Sequence, residues 1–253
     1  MKLKEKVFII TGATSGMGRG IALKFIEEGA SLILSGRNRN KGKEVVHEIR
    51  SQKGKAEFHS GDVGEESTNR ELVKLAIKTF GRLDGVITNA GILGLGKVTE
   101  LDTETWYRTF QTNLDSVYFL MKYAIPEMKK TGKGVAVINA SIAAYKSFPN
   151  HAAYCASKAA LVALAKQMAV DYGPEMRINS ICPGPVDTTL LHDSAVAFPE
   201  PQNAVTEAEK TTLMKRLGQP ADIANLALFL VSDDSSWITG STYTIDGGIM
   251  ANS

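Results

Sequence analysis

The chain has 253 residues, 43% of them hydrophobic, with 29 Lys and Arg against 27 Asp and Glu for a net charge of +2. That length fits one α/β domain, and the near balance of charge gives no electrostatic footprint for nucleic acid. No run approaches the roughly 18 apolar residues of a membrane helix, Val7–Ile10 is too short for a signal-peptide core, and Cys155 and Cys182 alone make no disulfide framework, so a cytoplasmic protein with free thiols is expected.

In chain order, short β-branched runs alternate with helical periods. Val7–Ile10 reads as a strand, and 16–28 as a helix with apolar Met17, Ile21 and Phe25, stopped by Gly29. A strand at 32–34 precedes a helix at 43–52, which Gly54 stops. A strand at 56–59 precedes a helix at 68–80, ended by Gly81. The strand at 86–88 leads to a long helix from about Asp102, with Trp106, Phe110, Leu114, Val117 and Met121 on one stripe. The strand at 135–139 leads to an Ala-rich helix, Ala152–Tyr172, stopped by Gly173-Pro174. A strand at 177–181, a helix at 221–231 and the strand Thr242–Ile245 complete the set. This alternation predicts an α/β fold, a Rossmann-like doubly wound parallel sheet of about seven strands with helices on both faces. No repeat or linker divides it, so one domain over 1–253 is expected. Residues 183–220 show no period and carry Pro185, Pro199, Pro201 and Pro220. The stretch 185–218 follows a strand end, where ligands bind in such sheets, and is expected to be an irregular substrate lid.

After the first strand comes Thr11-Gly12-Ala13-Thr14-Ser15-Gly16-Met17-Gly18. A glycine-rich strand-to-helix turn lets backbone N–H groups approach a pyrophosphate at the positive end of the helix, although glycines also make ordinary tight turns. The spacing G-x-x-x-G-x-G differs from the dinucleotide pattern G-x-G-x-x-G. Roughly 20 residues past the glycines, NAD-binding folds place an acid against the ribose 2′-hydroxyl. Here Gly36 stands there, followed by Arg37, with Arg39 two residues on. A guanidinium binds a 2′-phosphate through two charge-assisted bonds, so NADP is expected over NAD; a solvated loop arginine is the plainer alternative.

Tyr154 and Lys158 stand at i and i+4 of a helix, on one face. Phenol has a reference pKa near 10. A lysine cation about 4 Å away, at an effective dielectric near 20, is worth roughly 4 kcal/mol, or about three pKa units, enough for acid/base work. Y-x-x-x-K alone is a common spacing and carries no assignment. Ser141, thirteen residues earlier at the end of a strand-like run, offers a hydroxyl for the same substrate oxygen.

With these residues assembled, the sequence resembles the short-chain dehydrogenase/reductase family, in its branch of about 250 residues. Gly12, Gly16 and Gly18 match the family's T-G-x-x-x-G-x-G, and Asp62-Val63 match the pair contacting adenine. Asn89-Ala90-Gly91 match the N-A-G of the central sheet. Asn113, Ser141, Tyr154 and Lys158 match the catalytic positions, Pro183-Gly184 with Val186 and Thr188 the nicotinamide loop, and Ile245-Asp246-Gly247-Gly248 the C-terminal strand and turn. The resemblance implies hydride transfer between a nicotinamide and a carbonyl carbon. Tyr154 would be general acid/base, Ser141 would hold the substrate oxygen, Lys158 would serve phenol and ribose, and Asn113 would hold a relay water. It further implies coenzyme contacts along Gly12, Thr14, Ser15, Gly16, Met17, Gly18, Arg37, Asp62, Val63, Asn89, Ala90 and Gly91. It also implies a homotetramer, or a homodimer, built on helix 152–172 and the Trp106 helix.

The expected partner is a small carbonyl or alcohol substrate. Ser141, Ala143, His151 and Tyr154 are its candidate contacts, and Ala144, Tyr145, Phe148 and the lid complete a moderately apolar pocket. An alternative with the same catalytic set is a 3-oxoacyl-acyl-carrier-protein reductase, for which Lys129, Lys130 and Lys133 offer a small basic patch that equally suits a solvated helix end. A non-catalytic dinucleotide-binding regulator is a more remote reading, because Tyr154 and Lys158 are both intact. A sugar-nucleotide epimerase conflicts with length and glycine spacing. His47 and His59 read as surface residues, and His192 as a possible lid contact. Four histidines without ligand spacing predict no metal site. Both cysteines read as small core residues.

Overall fold

A computed structural model describes residues 1–252. Seven strands form one parallel sheet in the order β3-β2-β1-β4-β5-β6-β7. They are β1 Val7–Ile10, β2 Ser31–Gly36, β3 Lys55–Ser60, β4 Gly85–Thr88, β5 Gly134–Asn139, β6 Met176–Pro183 and β7 Thr242–Ile245. The nine α-helices among the described residues are α1 Gly16–Glu27, α2 Arg39–Ser51, α3 Glu66–Phe80, α4 Thr103–Phe110, α5 Ser116–Lys129, α6 Ala152–Tyr172, α7 Thr189–Ser194, α8 Pro201–Thr211 and α9 Pro220–Val231.

The central strands are buried on both faces, which explains their unbroken apolar sequences. Alternate β1 side chains serve different cores. Phe8 and Ile10 pack with Ile21 and Phe25 of α1, Val45 and Ile49 of α2, and Leu228 of α9. Val7 and Ile9 pack with Leu72 of α3, Leu120 and Met121 of α5, and Leu161 of α6. The Phe8 and Phe25 rings meet edge-on at 5.1 Å, and each such buried side chain stabilises the fold by roughly 1.5–3 kcal/mol. The chain leaves β1 for β2 and β3 on one side, then returns to β4 on the other. That reversal opens a crevice beyond the carboxyl ends of β1 and β4.

Two expectations are corrected. The long helix from Asp102 is not one regular helix, because a π-helical turn at Gln111–Asp115 separates α4 from α5. The wider turn rotates the buried face: Thr109, Thr112 and Asn113 point inward, whereas Trp106, Phe110 and Leu114 are only half-buried. The expected irregular lid is instead structured. Thr188 caps α7, a 3₁₀ turn at Ala195–Ala197 follows, and Pro201 opens α8 at its first turn. None of α8 is fully buried; its half-buried Ala204, Val205 and Ala208 make too short an apolar stripe to announce a helix. Among the described residues no helix is long and apolar enough to cross a membrane.

Candidate active site

The crevice holds two adjoining hollows. The first is a groove of about 310 Å³ running from the β1–α1 turn to Tyr154 and Lys158. Its floor is Gly12, Thr14, Ser15, Gly16 and Met17, and its far wall is Asn89, Ala90 and Gly91. The turn brings Gly12 to φ +63° and Gly16 to +50°, conformations that favour glycine. A Cβ on Gly18 would lie 2.2 Å from the Gly12 carbonyl oxygen, so Gly18 seats α1 against the turn rather than facing the groove. The Ser15 side chain makes no capping bond, and the first turn of α1 carries no acid. The N–H groups of that turn are therefore open to an anion. Two buried oxygens on the groove wall, Thr112 Oγ1 and Asn139 Oδ1, have no partner among the described residues. A chain of donors at one end and unpartnered oxygens at the other suits an elongated polar molecule with phosphates, which is the chemistry of a dinucleotide.

The adenine-side residues Asp62 and Val63 also line the groove. Asp62 is held by the Gly64 N–H at 2.9 Å and by an ion pair with Arg108 of α4. Arg37 lines the rim, is exposed, and makes no side-chain bond or ion pair among the described residues. The other polar groups beside it in the sequence, Arg39 included, do not line the groove. Asn38 accepts the Lys41 N–H at 3.0 Å as the cap of α2, and Ser35 is fully buried.

At the other end, α6 places Tyr154 and Lys158 one turn apart, with the Lys158 Nζ 5.7 Å from the Tyr154 ring centroid. Lys158 is buried and donates to the Asn139 carbonyl at 3.0 Å. Burial pushes the Tyr154 phenol up to about 12, against the opposing pull of the Ser141 hydroxyl. Burial likewise pushes the Lys158 ammonium down to about 8. The lowering of the phenol expected from Lys158 is thus not met in the chain by itself. The ammonium is aimed at a carbonyl, and the cost of a buried phenolate is larger. Ser141 accepts the Ala143 N–H at 3.1 Å, which fixes its hydroxyl beside the phenol. Asn113 sits on the π turn. Its Oδ1 accepts from Ile92 N at 2.8 Å, and its Nδ2 donates to Ile92 O at 2.9 Å and Ser157 Oγ at 3.0 Å. The side chain is spent on structure and lines neither hollow.

The second hollow is a mostly apolar cavity of about 610 Å³. Ser141, Ala143, Phe148, His151 and Tyr154 line it, together with Pro183, Gly184, Val186 and Thr188, and α7 and α8 arch over it. Of the proposed nicotinamide loop, only Thr188 borders both hollows. Ala144 does not line the cavity, and Tyr145 is 52% exposed, so neither joins the pocket expected of them. His192 is exposed, pairs with Asp187 at 2.9 Å and also lies outside it. Lys129 pairs with Glu175 at 2.6 Å and Lys130 with Glu127 at 2.8 Å, which neutralises most of the basic patch. No group of three or more potential metal ligands occurs among the described residues. Asn139 was missed in the sequence: its carbonyl holds Lys158, and its Nδ2 donates to Asn89 Oδ1 at 2.8 Å. A polar residue closing the apolar run of β5 was the available signal.

Comparison with known proteins matches this arrangement. A family model described as enoyl-(acyl carrier protein) reductase matches residues 12–250. Cyclohexanol dehydrogenase of Acinetobacter sp. is 37% identical over 97% of this chain and 95% of its own. The NADP-dependent (R)-specific alcohol dehydrogenase of Lentilactobacillus kefiri is 34% identical over 99% of this chain and 98% of its own. A solved 7α-hydroxysteroid dehydrogenase, complexed with NADH and 7-oxo glycochenodeoxycholic acid, superposes with a TM-score of 0.89 at 36% identity, covering 98% of this chain and 95% of that one. Matches of this extent, from the glycine turn to the C-terminal strand, make the chain a member of the short-chain dehydrogenase/reductase family of oxidoreductases.

Proposed function

We propose that the protein is an NADP(H)-dependent oxidoreductase that interconverts an apolar secondary alcohol and its ketone, with Tyr154 moving the proton. The observation that carries this reading is that Tyr154 borders both hollows, so a substrate in the apolar cavity and a dinucleotide in the groove meet at its hydroxyl. The relatives act in the same direction, since their names describe alcohol and hydroxysteroid dehydrogenases.

When bound, the dinucleotide supplies or accepts the hydride at the substrate carbon, and its oxidised ring brings positive charge that favours phenolate. In oxidation, Tyr154 Oη takes the hydroxyl proton; in reduction it returns one to the forming alkoxide. Ser141, fixed by the Ala143 N–H, holds the substrate oxygen beside that phenol. Lys158 is placed to reach the ribose from the Asn139 carbonyl, and Asn113, on the π turn, would hold the relay water through its main chain, its side chain being bound to Ile92 and Ser157. Gly12, Thr14, Ser15, Gly16 and Met17 hold the pyrophosphate, Asp62 and Val63 the adenine, and Gly18 keeps the turn closed. Most of the rate acceleration comes from holding the reacting carbons in near-attack geometry.

Coenzyme choice rests on Arg37. A hydrogen bond to a charged group contributes roughly 1.5–3 kcal/mol, so NADPH is expected to bind about ten- to a hundredfold tighter than NADH. Arg37→Ala is expected to erase that preference in a direct titration. In Gly36→Asp the new Cβ would lie 2.7 Å from Thr14 Cγ2, so that methyl must turn away, and the carboxylate then repels a 2′-phosphate and favours NADH. Equal affinity of the wild type for both coenzymes would make Arg37 a solvated loop residue.

The chain is further proposed to act as one domain whose α7–α8 arch forms the substrate lid over 185–218. It would work in the cytoplasm as a homotetramer or homodimer. Exposed Tyr107, Tyr118 and Val170, on α4, α5 and α6, give the assembly an apolar face. The test of the function is coenzyme-coupled oxidation of cyclohexanol and related secondary alcohols, followed by nicotinamide absorbance with each coenzyme. No turnover across such a panel, in either direction, would defeat it.

A further inference from the structure

His151 is 5% exposed, yet it lines the apolar cavity one helical turn before Tyr154. Its imidazole is wedged between three rings, with centroids 5.9 Å from Phe148, 5.9 Å from Tyr154 and 6.0 Å from Phe198. The backbone around it is tied down on two sides. Gly96 N donates to the Asn150 carbonyl at 2.7 Å, and Asn150 Nδ2 donates to the Ala197 carbonyl of the lid at 2.8 Å. The ring therefore has one orientation to offer.

Its proton is also placed. Nδ1 lies 2.6 Å from the Pro149 carbonyl oxygen, which can only accept, so that bond assigns the proton of the neutral ring to Nδ1. Burial depresses the imidazole pKa below its ordinary value, which keeps the ring neutral at physiological pH. Nε2 is left as a bare acceptor, and it has no partner among the described residues. Ser141 and Tyr154 are committed to the reacting oxygen, and the remaining polar lining residues, Lys146 and Thr188 among them, are not part of the ring cluster around His151. An acceptor in an apolar wall rejects a hydrocarbon surface and is satisfied by a donor carried on the ligand.

We infer that His151 Nε2 selects substrates carrying a second hydroxyl close to the carbinol that reacts, so that the enzyme prefers cyclic diols or hydroxyketones to simple alcohols. This rests on the proposed alcohol oxidation at Tyr154 and narrows its substrate class. The spacing of the His151 and Tyr154 rings suits two hydroxyls on one ring of the substrate. His151 acts here as a specificity residue and takes no part in proton transfer.

The test compares cyclohexanol with the cis and trans cyclohexane-1,2-, 1,3- and 1,4-diols, reading the ratio of kcat/KM for diol over mono-alcohol within each protein. A diol has two carbinols and gains about twofold on statistics alone. In the wild type at least one diol is expected to exceed cyclohexanol by about tenfold, the worth of one satisfied buried hydrogen bond. In His151→Phe, which fills the same space without an acceptor, the ratio is expected to fall to the statistical value. His151→Gln, which restores an acceptor, is expected to recover part of it. Coenzyme titration of each variant reports whether the groove, and hence the fold, is intact. The same ratio read as dissociation constants by calorimetry, with reduced coenzyme present, needs no turnover. Turnover of cyclohexanol itself therefore tests the alcohol oxidation, and the ratio tests His151. A wild type that favours no diol beyond the statistical value, or a ratio unchanged in His151→Phe, overturns the inference.

Discussion

Replacing Tyr154 by Phe is expected to lower kcat by about 10²–10⁴ while leaving NADPH affinity nearly unchanged. The substitution removes one oxygen and keeps the ring. The ring is what packs at 5.9 Å against His151 and lies under the Lys158 ammonium at 5.7 Å, so the walls of both hollows persist. Ser141 remains fixed by the Ala143 N–H at 3.1 Å, and the pyrophosphate turn lies at the far end of the groove. What disappears is the only phenol, among the described residues, that touches both hollows. Burial holds that phenol near 12 in the chain by itself, so it stays a proton donor until opposing charge arrives. Stopped-flow single turnovers together with coenzyme titration separate the two effects. A variant that keeps more than about a tenth of the wild-type rate would place the proton transfer elsewhere.

The parts of this site legible in the sequence were those whose chemistry is local. Tyr154 and Lys158 share a face because they stand four positions apart on an Ala-rich helix, and α6 spans Ala152–Tyr172 as its composition predicts. The glycine turn was legible because φ values of +63° and +50° at Gly12 and Gly16 favour that residue type. The sheet followed from apolar runs that only burial on both faces explains. Features made by contacts distant in sequence were not legible. The apolar stripe from Trp106 to Met121 runs straight through the π turn, so nothing in its period announces that Asn113 swings inward to Ile92. Lys158 reads as a partner for the phenol, but its hydrogen bond goes to Asn139, 19 residues away on β5. Tyr145 lies among pocket residues in sequence, but the short 3₁₀ turn at Ile142–Ala144 leaves it facing solvent. Asn38 is next to Arg37 in the sequence, yet it caps α2 and does not line the groove.

Lys158→Met is expected to weaken NADPH binding about ten- to a hundredfold and to lower kcat about a hundredfold, yet to leave the stability of the coenzyme-free protein close to wild type at neutral pH. The kinetic losses follow from one ammonium serving both the ribose and the charge balance at Tyr154. The stability argument runs the other way. Burial lowers the Lys158 pKa from 10.5 to about 8, so holding that charge in the fold costs about 3 kcal/mol. Methionine has a similar length and no charge, and it relieves this cost. It also orphans the Asn139 carbonyl, now accepting at 3.0 Å, a loss of about 1–3 kcal/mol. The two nearly offset. Their pH dependence does not, and it gives the prediction its sign. At neutral pH both folded and unfolded lysine hold the proton, and the cost is present in full. Between about 8 and 10.5 the folded state has released its proton while the unfolded state still binds it, so wild-type stability rises with pH. The variant lacks that group and that slope. Urea denaturation at neutral pH and near pH 10 should therefore show wild type gaining on Lys158→Met by up to about 3 kcal/mol across the window. Parallel pH profiles for the two proteins would mean that Lys158 titrates as a solvated lysine, and its double role at ribose and phenol would fall with the buried charge.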